Sequence, residues 1–211
     1  VTGDGQLNIL SCNQSHIGNI ERDMSNESLF QFVNIYPGWV NDYCWGWNTG
    51  GESVDLNATL SMHAGSPMVD VKLVTSKPLD DIAIGFVAHP GTELLTGELQ
   101  TGLTSETLNY VASFGTQTLF DDQLGMVIIY RKNSLKQQTR DDGSYVLVME
   151  PGGTELSYAF GALWSGQQGG IQTKEELEAF LLADPATMPG TIRALLGMSR
   201  PIMSSCCPRR I

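Results

Sequence analysis

The three histidines of this chain, His16, His63 and His89, are its only side chains with an unperturbed pKa near neutrality. Any general acid–base step that uses an imidazole must therefore draw on one of them. His89 ends a predicted strand, directly before Pro90 and Gly91. It is either a catalytic base or ligand-binding residue, or a residue that only stabilises the turn. His63 ends another predicted strand, on its polar face. It is either a substrate-binding residue or a solvated surface residue. His16 lies in a stretch without a predicted element.

Two tyrosines and one arginine on predicted strands are further candidates. A phenol acts as an acid or base only where a nearby cation or histidine favours its ionised form, because its free pKa is near 10. Tyr110 and Tyr158 are candidates for this acid–base role. Alternatively, each ring only packs in the fold, with its hydroxyl directed toward water. Arg131 begins a charged hairpin, so it is either solvated or a bidentate partner for the carboxylate or sulfate of an acidic sugar.

Aromatic residues are concentrated in residues 37–51, which the sequence predicts to be a glycine-rich loop. This segment holds three of the four tryptophans, together with a tyrosine: Trp39, Tyr43, Trp45 and Trp47. Exposed aromatic rings stack on the apolar faces of sugars, so the segment is a candidate carbohydrate-binding surface. A small hydrophobic cluster beneath the loop is the alternative.

The composition limits the classes of partner. The chain has 211 residues, a net charge of −11 and 41% hydrophobic residues, which is typical of a folded acidic protein. Without a surplus of basic residues, neither nucleic acid nor membrane insertion is expected, and no apolar run reaches the roughly 18 residues of a membrane span.

The cysteines lack zinc-site spacing and no nucleotide-binding motif occurs, so no metal and no cofactor are expected. Cys12 and Cys44 either form a disulfide or remain free thiols.

Alternation of apolar and polar residues from Val54 onward predicts a strand with one buried face. Further short strands, separated by Gly, Pro or Asp turns, are predicted over Met68–Val74, Ile82–His89, Tyr110–Phe114, Leu124–Tyr130, Tyr145–Glu150 and Leu156–Trp164. Because almost no helix lies between them, the fold class is mostly β, an antiparallel β-sandwich. One C-terminal helix is predicted over Lys174–Leu182, since Thr173 and Glu176 form a capping box.

The sequence indicates one domain and a tail. We assign residues 1–184 to a single β-sandwich domain and residues 185–211 to an atypical or poorly ordered tail, whose basic end contrasts with the acidic chain. Little stability is expected from this tail. The chain begins at Val1 without a Met or a signal-like apolar stretch, so we expect either a removed leader or a missing N-terminal portion.

Short motifs follow one another in a recognisable order. They include Ala83-Ile-Gly-Phe-Val-Ala-His89-Pro90-Gly91, Tyr110-Val-Ala-Ser-Phe-Gly115 and Tyr158-Ala-Phe-Gly-Ala-Leu-Trp164. Over about residues 52–183 the chain resembles the C-terminal half of a family described as a domain of unknown function, DUF4861. The resemblance implies an exported β-sandwich protein associated with the breakdown of acidic polysaccharides such as pectin or ulvan. It also implies that His89 is the histidine of the family's His-Pro-Gly turn, while Phe114 stands where a tryptophan is expected.

From the residues and the resemblance we expect a secreted or periplasmic protein that acts on uronic-acid-containing oligosaccharides by elimination or dehydration. His89 or Tyr110 would be the base or acid, and Arg131 would hold the carboxylate. The expected substrate-binding residues are Trp39, Tyr43, Trp45, Trp47, His63 and Tyr158. Hydrolysis is disfavoured because strand alternation places no carboxylate pair on one face. A non-catalytic carbohydrate-binding module and an inactive truncated family member are the alternatives; the oligomeric state stays open.

Overall fold

The computed structural model describes residues 39–49, 52–62, 66–99, 106–141, 143–183 and 195. These residues form ten strands, one α-helix and a short 3-10 helix at Lys132–Ser134. The helix, α1, spans Lys174–Leu182. The strands are β1 (Trp39–Thr49), β2 (Glu52–Met62), β3 (Met68–Thr75), β4 (Ile82–Val87), β5 (Glu93–Leu99), β6 (Leu108–Thr116), β7 (Gln123–Arg131), β8 (Leu135–Arg140), β9 (Ser144–Met149) and β10 (Glu155–Trp164).

The strands form a large and a small antiparallel sheet. The large sheet has seven strands in the order β1-β2-β3-β10-β7-β6-β5, and the small sheet has three in the order β4-β9-β8. Every neighbouring pair is antiparallel. The predicted fold class, mostly β with antiparallel sheets and one helix, is confirmed.

Two hydrophobic cores lie on opposite faces of the large sheet. The inter-sheet core joins the large sheet, through residues such as Val71, Ile128 and Tyr158, to Phe86 and Leu147 of the small sheet. The second, helix-side core joins the other face of the large sheet to α1. Its members include Met68, Leu108, Tyr110, Ile129, Leu163, Leu177, Leu181 and Leu195. The domain therefore has three layers, with the large sheet in the middle.

Coverage on both faces explains the sequence of the central strands. Seven of the nine residues of β6 are buried, from Leu108 to Gly115 with only Asn109 half-buried among them. Strands buried on both faces show apolar runs rather than alternation. In β2, by contrast, Val54, Leu56 and Ala58 are buried and alternate with more exposed residues. The alternation predicted from Val54 onward is confirmed.

Helix α1 begins and ends as its sequence predicts. The N–H of Glu176 donates to Thr173 Oγ1 at 3.1 Å, so Thr173 caps the helix. The carboxylate of Glu176 reaches back one residue beyond the cap and accepts from the N–H of Gln172 at 2.7 Å. Leu177 and Leu181, one turn apart, bury the apolar side of the helix in the helix-side core.

The prediction of a loop over residues 37–51 is wrong, and two further strands have no counterpart in the prediction. Trp39–Thr49 is strand β1, paired with β2, since its aromatic residues favour extended structure. The other two are β5 and β8. All three lie at an edge of their sheet. In β8 no residue is buried and in β5 only Leu95 and Leu99 are buried, so the sequences of these two strands carry a weak apolar pattern.

Leu195 alone is described beyond residue 183. It is 1% exposed, lies in the helix-side core, and its carbonyl oxygen accepts from Arg131 Nε at 2.6 Å. The expectation that the tail contributes little stability therefore remains a prediction for its other residues, whereas Leu195 itself is packed as a core residue.

Candidate functional site

His89 lies in a tight turn that connects the small sheet to the large sheet. Strand β4 ends at Val87, two residues before the predicted end. The carbonyl oxygen of His89 accepts from the N–H of Thr92 at 3.4 Å and from Thr92 Oγ1 at 2.7 Å. Pro90 and Gly91, the latter with φ of +80°, occupy the two central positions, as in a type II turn. The turn needs glycine at position 91, but it needs only a carbonyl at position 89.

The imidazole of His89 takes no part in holding this turn. The side chain is half-buried. Within the described part of the chain, the bonds that close the turn go to the backbone oxygen, and no ion pair or hydrogen bond engages the ring. A residue whose backbone alone shapes the turn leaves its ring available to a ligand.

Gly115 fixes the turn against the end of β6. Its φ is +154°, and a Cβ at this position would lie 2.9 Å from the carbonyl oxygen of Gly91 and 3.0 Å from the Cα of Thr92. Only glycine allows the two backbones to approach so closely. The His89 turn is therefore held at one defined end of the large sheet.

An open cleft of about 370 Å³ lies beside this turn, between the end of β6, the start of β7 and the start of α1. Its lining includes a cation, two carboxylates, two amides and one aromatic ring: Gly91, Glu93, Phe114, Gly115, Thr116, Gln123, Gln172, Thr173, Lys174 and Glu175. Phe114 is buried and belongs to the helix-side core, so the groups that the cleft offers to a ligand are mainly polar, as the hydroxyls of a sugar require.

Hydrogen bonds hold the polar side chains of the cleft in place. Lys174 Nζ lies 2.6 Å from Glu93 Oε2, and this hydrogen bond and charge raise the pKa of Lys174. Gln123 Nε2 donates to Thr116 Oγ1 at 3.0 Å. Gln172 Nε2 donates to the carbonyl oxygen of Ser165 at 2.7 Å in the adjacent loop. The cleft thus presents to a ligand an ammonium paired with the carboxylate of Glu93, the second carboxylate of Glu175, and oriented amides.

Sequence reasoning missed the polar residues of this cleft. Thr173 and Glu176 were visible in the sequence as helix-capping residues, and Lys174 follows the cap directly. The partner carboxylate of Glu93 is 81 residues away in the sequence. Only the pairing of strands and the packing of α1 bring the two together.

Tyr110 is buried in the helix-side core. Burial, together with the carboxylate of Glu178, raises the pKa of Tyr110. The ring lies against Gly97, its cross-strand partner, where a Cβ would be 2.7 Å from the hydroxyl oxygen. From Gly115 to Tyr110 is five residues along β6, or about 16 Å. Tyr110 is thus distant from the His89 turn and disfavoured as an ionised base.

Arg131 lies at the opposite end of the large sheet from the His89 turn. It pairs with Leu108 in the register of β6 and β7, seven residues from Gly115, or about 23 Å. Its Nε bonds to the carbonyl oxygen of Leu195 at 2.6 Å and lies 3.6 Å from the carboxylate of Glu106. Tyr110 and Arg131 share one face of the large sheet, whereas His89 lies in a turn at the end of that sheet opposite to Arg131.

Tyr158 lies on the other face of the large sheet, in the inter-sheet core. Its cross-strand neighbour on β7 is Tyr130. Burial raises the pKa of Tyr158 to about 12. Desolvation and a hydrogen bond with Asn109 act in opposite directions on Tyr130, whose pKa is raised because desolvation dominates. Tyr158 is therefore separated by the sheet itself from Tyr110 and Arg131.

We expect the buried tyrosines to make the protein lose stability at alkaline pH. In the unfolded chain a tyrosine ionises near pH 10, and in the fold Tyr158 ionises near pH 12. The unfolded state therefore loses protons first, so stability is complete below pH 10 and falls as the pH rises to 12. A two-unit difference corresponds to roughly 2–3 kcal/mol. Denaturant titrations from pH 9 to 12 should show a smaller fall for Tyr158→Phe; equal falls would contradict the prediction.

The aromatic candidates lie on β1, which pairs with β2 at the edge of the large sheet. Trp47 is half-buried and packs against the inter-sheet core, and its role in carbohydrate binding stays a prediction. The side chains of Trp39, Tyr43 and Trp45 lie outside the described part of the structure. So do the candidate His63, as well as Cys12 and the side chain of Cys44.

Within the described residues, no group of three or more His, Cys, Asp or Glu side chains is placed to hold a metal ion. In the same part of the chain, no helix has the length and apolar character needed to cross a membrane.

A comparison with protein families gives a match over most of the described domain. The model of the family described as Domain of unknown function (DUF4861) matches residues 40–188, more than half of the chain. The chain therefore belongs to this family, and the match extends the resemblance toward the N-terminus to include β1. Searches of curated proteins and of solved structures found no match.

Proposed function

We propose that the protein is an exported, carbohydrate-active protein that acts on uronic-acid-containing oligosaccharides by elimination or dehydration, at the cleft beside the His89 turn. The observation that carries the proposal is a half-buried imidazole, unused by its own turn, two residues before Gly91, which lines a polar cleft that also contains a charged ammonium. The resemblance to proteins of polysaccharide breakdown supports the choice of substrate.

Elimination at a uronate needs a base and a cation. The imidazole of His89 removes the proton alpha to the carboxylate, a carbon–carbon double bond forms, and the bond from the beta carbon to its oxygen breaks with the electron pair going to that oxygen. The departing oxygen takes a proton from the imidazolium or from water. Lys174, kept protonated by Glu93, stabilises the negative charge that develops on the carboxylate.

Lys174 replaces Arg131 as the carboxylate partner in this proposal. The guanidinium of Arg131 already bonds to Leu195 and lies about 23 Å from the turn along β6. Tyr110 is left out for the related reason that it is buried beneath α1 and distant from the turn. Lys174, in contrast, lines the same cleft as Gly91 of the turn.

The test is to incubate the protein with saturated and unsaturated uronate oligosaccharides while recording the absorbance of the unsaturated uronate. A gain or a loss of this absorbance shows chemistry on the sugar. Lys174→Gln should raise KM for acidic substrates by about ten- to a hundredfold, because a charge-assisted hydrogen bond contributes roughly 1.5–3 kcal/mol. Lys72→Gln is the matched control, since Lys72 forms a comparable ion pair with Glu155 at 3.0 Å on β3 and β10.

Two results would count against the catalytic proposal. Retention of the protein on an acidic polysaccharide gel, without any change in absorbance, would indicate a non-catalytic binding module instead. Equal KM values for Lys174→Gln and Lys72→Gln would remove Lys174 from substrate binding.

A further inference from the structure

The side-chain amide of Gln172, in the loop between β10 and α1, is held in one orientation by two backbone carbonyls. Its Nε2 donates to the carbonyl oxygen of Ser165 at 2.7 Å and to that of Gly170 at 3.2 Å. A carbonyl oxygen can only accept a hydrogen bond, so the NH2 group of the amide must face both of them. The hydrogens of Nε2 are thereby used within the loop.

The other polar atom of this side chain, Oε1, is an acceptor that is left for a ligand. Gln172 is exposed and lines the cleft. Within the part of the chain that the structure describes, no hydrogen bond is made to its Oε1. The backbone N–H of Gln172 donates to the carboxylate of Glu176 at 2.7 Å, so the residue is also fixed through its main chain. An acceptor that is oriented in advance binds a ligand at little cost in conformational entropy.

Acceptors predominate among the other polar side chains of the cleft. Glu93 and Glu175 line it, and an ionised carboxylate accepts hydrogen bonds but donates none. Lys174 is the only cation among the described lining residues, and its ammonium is already paired with Glu93. Gln123 donates its Nε2 to Thr116 Oγ1, which leaves its Oε1 as a further acceptor. The lining side chains therefore offer more acceptor than donor positions, and they suit a ligand that is rich in donors.

Sugar hydroxyls supply the donors that such a cleft requires. A uronate unit within an oligosaccharide carries free hydroxyls beside its single carboxylate, and each hydroxyl can donate a hydrogen bond. Acetylation of a hydroxyl removes this donor and adds a carbonyl, which is another acceptor. Two acceptors that face each other both remain unpaired, so the acetylated sugar binds less tightly. Because acetylation leaves the charge of the sugar unchanged, this selection is independent of the ion pair between Lys174 and Glu93.

We infer that Gln172 is a specificity-determining residue that accepts a hydrogen bond from a sugar hydroxyl, so that the protein selects uronate oligosaccharides with free hydroxyls over their O-acetylated forms. The inference rests on the proposed function and narrows its substrate class. Gln172 takes no part in the proton transfers assigned to His89. Its replacement should therefore change binding and KM rather than turnover.

The experiment measures the binding of two probes by isothermal titration calorimetry. One probe is an oligogalacturonate with free hydroxyls, and the other is an oligogalacturonate of equal length with an acetyl group on each sugar. Wild-type protein should bind the free form about three- to tenfold more tightly, the factor that a hydrogen bond between neutral groups contributes. Gln172→Met keeps the length of the side chain but replaces the amide with a weakly accepting thioether. It should weaken binding of the free form by about the same factor and leave binding of the acetylated form nearly unchanged.

Gln167→Met is the matched control, because Gln167 is an exposed glutamine of the same loop that does not line the cleft. It should change neither affinity, and the melting temperatures of both variants show whether the compared proteins are folded. Equal affinity of Gln172→Met and wild type for the free form would overturn the inference. So would a variant that binds both probes more weakly by one common factor, because this result indicates a disturbed cleft rather than a lost acceptor.

The proposed elimination fails separately from this inference. No change in uronate absorbance, with binding of the free form still dependent on Gln172, would remove the elimination and leave the specificity-determining residue. A change in absorbance, with the same KM for Gln172→Met and wild type, would leave the elimination and exclude Gln172. A wild type that binds neither probe would overturn the inference, whatever the absorbance shows.

Discussion

Replacing His89 with alanine is expected to lower the turnover of uronate oligosaccharides by about a hundredfold or more, with only a small change in melting temperature. General acid–base catalysis typically contributes 10²–10⁴-fold. The fold should survive because the backbone carbonyl of residue 89, and not its imidazole, accepts the two hydrogen bonds from Thr92. Turnover per folded molecule and the melting temperature, measured on one preparation, test both halves of the expectation.

Thr92→Val is the matched control for this prediction. It removes the hydroxyl that donates to the carbonyl of His89 and leaves the imidazole in place. A lost hydrogen bond of this kind costs about 0.5–1.5 kcal/mol of stability, while turnover should stay within a fewfold of wild type. An unstable His89→Ala protein with full activity per folded molecule would exclude His89 from the mechanism. The binding-module alternative would then be favoured.

Leu195→Ala is expected to lower the free energy of unfolding by about 2–5 kcal/mol, the usual cost of truncating a fully buried leucine. Leu195 is 1% exposed and packs in the helix-side core with Leu177 and Leu181 of α1. For a domain of this size each kcal/mol lowers the melting temperature by roughly 2–4 °C. Ending the chain after residue 184 should have at least this effect, because it also removes the carbonyl that accepts from Arg131.

Chemical denaturation and thermal melting measure this loss directly. Leu182→Ala is the control, since Leu182 is 61% exposed and its truncation should cost little. A shortened chain that melts within a degree or two of the full chain would contradict the prediction. It would instead support the expectation from the sequence that the tail contributes little.

The sequence determined the central elements of this fold. The alternation of Val54, Leu56 and Ala58 indicated a strand with one buried face, and the Thr173–Glu176 capping box located α1. These are local signals, since a strand's period or a helix cap is written within a few residues. Strands β5 and β8 escaped prediction because they carry few buried residues, two in β5 and none in β8, and their apolar pattern is correspondingly weak; β1 was predicted as a loop.

The candidate site was only partly visible in the sequence. His89 stood out because the chain has three histidines and because Pro90 and Gly91 follow it. The sequence also grouped it with Tyr110 and Arg131, which the structure places about 16 Å and 23 Å along β6 from the end that carries the turn. Distances of this kind follow from strand register, which no single strand's sequence specifies.

What the sequence by itself determined is therefore the residue types and the local elements: strands with buried faces, one capped helix, and a turn that requires glycine at position 91. Tertiary structure alone decided that Glu93 meets Lys174 and that Tyr158 and Tyr110 lie on opposite faces of one sheet. The physical reason is that periodicity and capping are local, whereas pairing and layer packing join residues distant in the chain.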